Sequence, residues 1–81
     1  MKYDIYTVSY CSFCVEAVGI LVQQGCNFSS FDITGDQEAK QNLIEKTGCN
    51  TLPQIFCNGE FIGGCSDLKV YFSEVNIECE E

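Results

Sequence analysis

The chain has 81 residues, enough for one domain with a modest core and too few for two. A hydrophobic fraction of 46%, with six Phe and four Tyr, argues for a folded globule over a disordered chain. Twelve acidic against four basic residues leave a formal charge of −8, which repels phosphate backbones and anionic lipid and so excludes nucleic acid and membrane surfaces as expected partners.

Tyr3 to Thr7 reads as a first, mostly buried strand. Cys11-Ser12-Phe13-Cys14 follows, opening a helix from about Ser12 to Gln24 in which Val15, Val18, Leu21 and Val22 recur at helical spacing. That apolar run is interrupted by Glu16 and is far too short to span a bilayer. Gly25 is its stop. Asn27 to Ile33 alternates weakly and reads as a second strand; Thr34-Gly35-Asp36-Gln37 then has capping-box spacing for a helix up to about Thr47, with Gly48 ending it. Strand, helix, strand over this span implies a parallel pair joined by a right-handed crossover.

The second half changes character. Gln54 to Cys57, Asn58-Gly59, then Glu60 to Ile62 predicts a hairpin closed by a type I′ turn. Gly63-Gly64 breaks the strand, and Ser66 or Asp67 is placed to cap a last helix running to about Phe72. Val75 to Glu81 shows no clear period and ends acidic. The expectation is an α/β fold, βαβ then ββα, with a four-stranded mixed sheet and three helices in one domain over residues 1–81.

The chemistry concentrates at the first helix. Cys11 falls at its N-cap, where backbone N–H groups lack intrahelical partners and the dipole presents partial positive charge, a setting that favours the reactive thiolate. Cys14, one turn in, can close a small disulfide ring once Cys11 has formed a mixed disulfide. Seven cysteines (11, 14, 26, 49, 57, 65 and 79) bring a secreted disulfide scaffold into consideration. The odd number, the lack of a basic-then-apolar leader before the first strand and the apolar periodicity argue instead for a reducing, cytoplasmic setting. A structural zinc site wants two close cysteine pairs, and only one C-x-x-C exists. Cys57 reads as core, Cys26 and Cys49 as partly exposed, and Cys79 as a surface thiol. Pro53 cannot donate to a sheet ladder and belongs at a strand start. Taken alone it would be an ordinary trans residue, since about one X–Pro bond in twenty is cis.

Cys11-Ser12-Phe13-Cys14, Thr51-Leu52-Pro53-Gln54-Ile55-Phe56, Asn58-Gly59 and Ile62-Gly63-Gly64-Cys65-Ser66-Asp67 together resemble a glutaredoxin, over roughly Tyr3 to Tyr71. The resemblance implies a thioredoxin-like fold with a cis Pro53 lying against the two cysteines. It also implies a glutathione-dependent thiol–disulfide oxidoreductase, in which Cys11 attacks glutathione mixed disulfides and protein disulfides and Cys14 resolves them. Glutathione would lie along Leu52, flanked by Thr51 and Pro53, with Phe13 as an aromatic wall. Gly64, Cys65 and Ser66 would take its γ-glutamyl carboxylate; the plainer reading of Gly63-Gly64 is a tight bend. Cys65 would border this groove and be open to oxidation. Such a protein is expected to be a monomer serving glutathionylated or disulfide-containing proteins.

Three departures qualify the likeness. Val8 stands where glutaredoxins usually carry a lysine. Lys40 either takes over that lysine's role toward the glycine carboxylate or is a solvated helix residue. Glu16 brings a carboxylate near Cys11, which opposes an anion there. Ser12 replaces the commoner proline, as in relatives whose dimers bridge a [2Fe–2S] cluster through Cys11-type thiolates and glutathione; that cluster carrier is one alternative. The other, prompted by Val8, is a thioredoxin-like electron donor to one protein such as ribonucleotide reductase.

Overall fold

The computed structural model describes the backbone of residues 2–80 and the side chains of residues 2–73. β1 (Lys2–Thr7) lies inside a four-stranded sheet of order β2-β1-β3-β4. β2 (Asn27–Asp32) runs parallel to it, Lys2 opposite Asn27 and Thr7 opposite Asp32. β3 (Gln54–Cys57) is antiparallel on the other side, Ile5 opposite Ile55, and β4 (Glu60–Gly63) closes the hairpin. Asn58 at φ 53° and Gly59 at φ 87° give the turn the two positive φ angles that a type I′ hairpin demands. The mixed sheet and three helices are those expected from the sequence.

Alternation along the strands splits the core in two. Tyr3, Ile5 and Ile55 face α1 (Ser12–Gln23) and α3 (Cys65–Glu80), where Ala17, Leu21, Leu68 and Phe72 meet them. Tyr6 and Phe56 point to the opposite face, where Leu43 of α2 (Gln37–Thr47) closes a smaller cluster with Ile33. Ile5, Leu21, Ile55 and Leu68 are completely buried. Each such side chain contributes about 1.5–3 kcal/mol by leaving water, so the α1/α3 face carries most of the stability.

Three expectations need correction. The N-cap of α2 is Asp36, whose carboxylate accepts from the Ala39 N–H at 3.0 Å, and not Thr34. The Asp32 carboxylate captures the Thr34 hydroxyl and N–H (2.5 and 2.9 Å), so Thr34 is tied to the end of β2 and the helix starts three residues later. Neither Ser66 nor Asp67 precedes α3, which begins at Cys65; Asp67, inside the first turn, accepts from the Gly64 N–H at 3.1 Å, the backward half of a capping box. Finally, α3 continues past Phe72 to Glu80, because no glycine or proline after Gly64 interrupts it.

Parallel pairing of β1 with β2 puts both carboxyl ends, and with them the N-termini of α1 and α2, at one end of the sheet. β3 runs the other way and so starts there. Chain ends of this kind, converging outside the carboxyl edge of parallel strands, are where α/β sheets form clefts.

Candidate active site

Cys11 leaves the turn after β1 in extended conformation (φ −114°, ψ 112°) and is the N-cap of α1. Its Sγ accepts from the Cys14 N–H at 3.3 Å, one of the first-turn amides that no helical carbonyl can reach. The half-buried Cys11 thiol donates in turn to the Leu52 carbonyl at 3.6 Å. The Leu52–Pro53 peptide is cis, so the main chain of Leu52 faces the sulfur. Once Cys11 loses its proton, the Cys14 N–H still points at it and the Leu52 carbonyl becomes free for an incoming N–H.

Cys14 is the opposite case. It is 2% exposed. Burial, reinforced by its hydrogen bond to the Cys11 sulfur, pushes its thiol up to about 11. The pair is reduced, with one sulfur reachable and the other held back as a protonated thiol.

Leu52 and Phe13 separate two clefts. The first, about 460 Å³, has Val8, Ile33 and Leu52 as its apolar floor and Cys11, Lys40, Gln37 and Asn50 around it. The second, about 480 Å³, lies between Thr51-Leu52-Pro53 and Gly64-Cys65-Ser66, with Phe61 and Ile62 behind. Lys40 is exposed and lines the first cleft, so of its two readings the geometry leaves it beside the site. Thr51, Pro53, Gly64, Cys65 and Ser66 line the second. The bend at Gly63 (φ 135°) needs glycine, because a Cβ there would collide with the Asp67 carboxylate. The Gly64 N–H is already taken by Asp67, which leaves the first-turn N–H groups of Cys65 and Ser66 for an anion.

The remaining cysteines sort by burial. Cys65 borders the second cleft but is only 6% exposed, and burial followed by the Glu16 charge raises its thiol, against the expected ease of oxidation. Cys49 is exposed; Cys26 and Cys57 are half-buried against the larger core cluster, Cys57 less deeply than expected. Cys79 lies outside the described side chains. Glu16 is paired with Lys69 across α1 and α3, so a cation stands beside the carboxylate expected to oppose the Cys11 anion.

Two supporting roles escaped the sequence reading, that of Gln54 and that of Thr34 toward Ser9. Gln54, 2% exposed, donates its amide to the carbonyls of Cys49 (2.8 Å) and Thr51 (3.2 Å) and so holds the loop that delivers Leu52. Thr34 accepts from the Ser9 N–H at 2.8 Å and pins the turn that delivers Cys11. A polar residue at a strand's first position was the available signal for Gln54; for Thr34 there was none. A [2Fe–2S] cluster needs four thiolates. Among the described residues no three Cys, Asp or Glu side chains converge on a metal, and a cluster bridging two subunits would ask this chain for the Cys11 thiolate alone, the accessible sulfur of the C-x-x-C pair, with glutathione supplying the other thiolates.

A reachable sulfur at a helix N-terminus, a protonated partner one turn on and the main chain before a cis proline facing the first sulfur define a thioredoxin-like thiol–disulfide oxidoreductase. Comparison narrows the class. The family model described as glutaredoxin matches residues 4–62. A probable glutaredoxin of Synechocystis is 41% identical over 68 residues, 83% of this chain and 77% of the relative. Among solved structures, wheat glutaredoxin superposes with a TM-score of 0.82 at 32% identity, covering 89% of this chain and 69% of that one. A buckwheat glutaredoxin–glutathione complex superposes with a TM-score of 0.79 at 25% identity, covering 89% and 68%. The chain belongs to the glutaredoxin family.

Proposed function

We propose that this glutaredoxin uses glutathione, reducing glutathione mixed disulfides and protein disulfides through Cys11 and Cys14. The observation that carries the reading is the Cys11 sulfur, fixed by the Cys14 N–H and facing the Leu52 main chain between two clefts. Support also comes from the buckwheat relative, which is known in complex with glutathione.

In this reading the Cys11 thiolate attacks one sulfur of a disulfide, forming a mixed disulfide and expelling the other sulfur as a thiolate that takes up a proton. With a glutathione mixed disulfide, glutathione stays on Cys11 while the target thiol leaves. A second glutathione then attacks, releasing glutathione disulfide and restoring Cys11. With a protein disulfide, Cys14 loses its proton and attacks the Cys11 mixed disulfide; the Cys11–Cys14 disulfide forms and two glutathiones later reduce it. The bound tripeptide pairs with the Leu52 main chain between Thr51 and Pro53, stacks against Phe13 and directs one carboxylate to Lys40. The other lies at the N–H groups of Cys65 and Ser66 beside Gly64. The reaction suits a reducing, cytoplasmic compartment and a monomer.

Mass spectrometry after incubation with oxidised glutathione tests this. Cys14→Ser should trap one glutathione, on Cys11. No adduct, together with reduction by thioredoxin reductase and NADPH but not by glutathione, would overturn the reading in favour of a thioredoxin-like donor.

A further inference from the structure

Beside the C-x-x-C turn, away from the clefts just described, lies a smaller depression of about 250 Å³ lined by Thr7, Val8, Ser9, Cys14, Val15 and Val18. None of the six carries a charge, on a chain of net charge −8. Val15 is 72% exposed, so its side chain does little for the fold and stands as the outer lip. The depression shares no residue with the second cleft and only Val8 with the first. A tripeptide laid along Leu52 and Pro53 therefore has no part in it, whereas a longer chain crossing Cys11 can reach both.

We propose that this depression is an anchor pocket for protein disulfides. It takes one aliphatic side chain of an extended segment whose cystine sulfur sits at Cys11. The occupant is specified by three features: an uncharged lining suits an aliphatic group and penalises a charged one by desolvation; at about 250 Å³ it has room for a branched side chain; and continuity with the reacting sulfur through Val8 limits it to a residue near the cystine. The inference rests on the disulfide chemistry proposed above and adds a preference among protein substrates that glutathione cannot show.

The test uses synthetic peptides, each with one intramolecular disulfide, in which a single leucine is moved through the three positions on either side of a cysteine, with serine elsewhere. At one register the leucine peptide should be reduced with a kcat/KM about tenfold above the all-serine peptide, the scale of burying one aliphatic side chain in part. Val15→Ser should erase most of that preference, and Val15→Asp should erase it fully. Val15→Ser should reduce the mixed disulfide of glutathione with a small thiol within about twofold of the parent, because Val15 lies outside the clefts; Val15→Asp, which adds a carboxylate near Cys11, is read only as the ratio of leucine to serine peptide. Equal rates at every register would overturn the anchor, and so would a parallel loss on all substrates, which marks a structural role. If the parent protein fails on the glutathione mixed disulfide yet keeps the leucine preference, the glutathione reading falls and the anchor stands.

Discussion

The two ends of the sheet each bring two cysteines near one another, with opposite results. At the carboxyl end of β1, Cys11 and Cys14 stand on the first turn of a helix, and a backbone N–H points at the Cys11 sulfur at 3.3 Å. At the other end, Cys26 and Cys57 pack against Tyr3, whose hydroxyl donates to that of Tyr71 at 3.3 Å. There burial raises the Cys26 thiol, with Cys57 adding to it, and burial with the Tyr71 hydroxyl raises Tyr3 as well. Among the described residues no helix starts there. What differs between the two pairs is the backbone. Unpartnered amides at a helix start can meet a sulfur anion, and apolar side chains cannot.

The harshest way to break that comparison is to remove the sulfurs. Cys11→Ser should lower the rate of glutathione mixed-disulfide reduction by about three orders of magnitude, since a hydroxyl does not form the intermediate. Cys26→Ser should change it by less than about twofold. A large loss in Cys26→Ser with normal stability would mean that the far pair takes part.

Next in size is the support behind Leu52. Gln54→Leu leaves the carbonyls of Cys49 and Thr51 without their amide partner. At about 0.5–1.5 kcal/mol for each hydrogen bond lost, the urea midpoint should fall. KM for glutathione mixed disulfides should rise because the Leu52 main chain is no longer held. A drop in stability with KM unchanged would show that Gln54 serves the core alone.

The third test sharpens the contrast by pH. Cys14 is raised from its ordinary 9.0 to about 11 in the fold. The folded state therefore holds the proton more tightly, and its contribution to stability is full below pH 9 and is lost as pH rises through 11. Cys26 and Cys65 are raised in the same sense, so the parent protein should lose stability progressively above pH 9. Cys14→Ser should flatten that alkaline slope in urea titrations; an unchanged slope would assign it to the other groups.

Much of this was legible locally. The Cys11 N-cap, the parallel βαβ unit and the Asn58-Gly59 hairpin each follow from a few adjacent residues whose turn and cap chemistry admits few alternatives. What was missed is non-local or competitive. The Glu16–Lys69 pair joins residues 53 positions apart, and no pattern along the chain announces it. Thr34 had good capping spacing, yet Asp32 two residues earlier offered its hydroxyl a charged acceptor and Asp36 was the better cap. The length of α3 was misjudged because weak periodicity was read as a stop when only glycine or proline would have forced one. The cis bond at Pro53 came from family likeness, since the residues alone favour trans.

The smallest expected effect lies in the turn that carries Cys11. Thr34 accepts from the Ser9 N–H at 2.8 Å and gives its own proton to Asp32 at 2.5 Å; that hydroxyl bond, with the Thr34 N–H at 2.9 Å, holds the Asp32 carboxyl below its usual range. All three residues are exposed, so water can replace what is lost, and Thr34→Val should cost less than about 1 kcal/mol in urea unfolding. The consequence is positional. Ser9 lies two residues before Cys11, and Thr34 two before Asp36, so the hydroxyl ties the two walls of the first cleft together. Freed from it, the walls should drift enough to raise KM for glutathione mixed disulfides by about two- to fivefold, with kcat nearly unchanged. Thr34→Ser keeps the hydroxyl and should behave as the parent. The parent's tie should weaken as pH falls below the ordinary carboxylate range, because protonating Asp32 removes the charge that strengthens its bonds to Thr34. Equal KM in Thr34→Val and Thr34→Ser would show that the turn needs no such tie, and that the amides of α1 alone present Cys11 to its substrate.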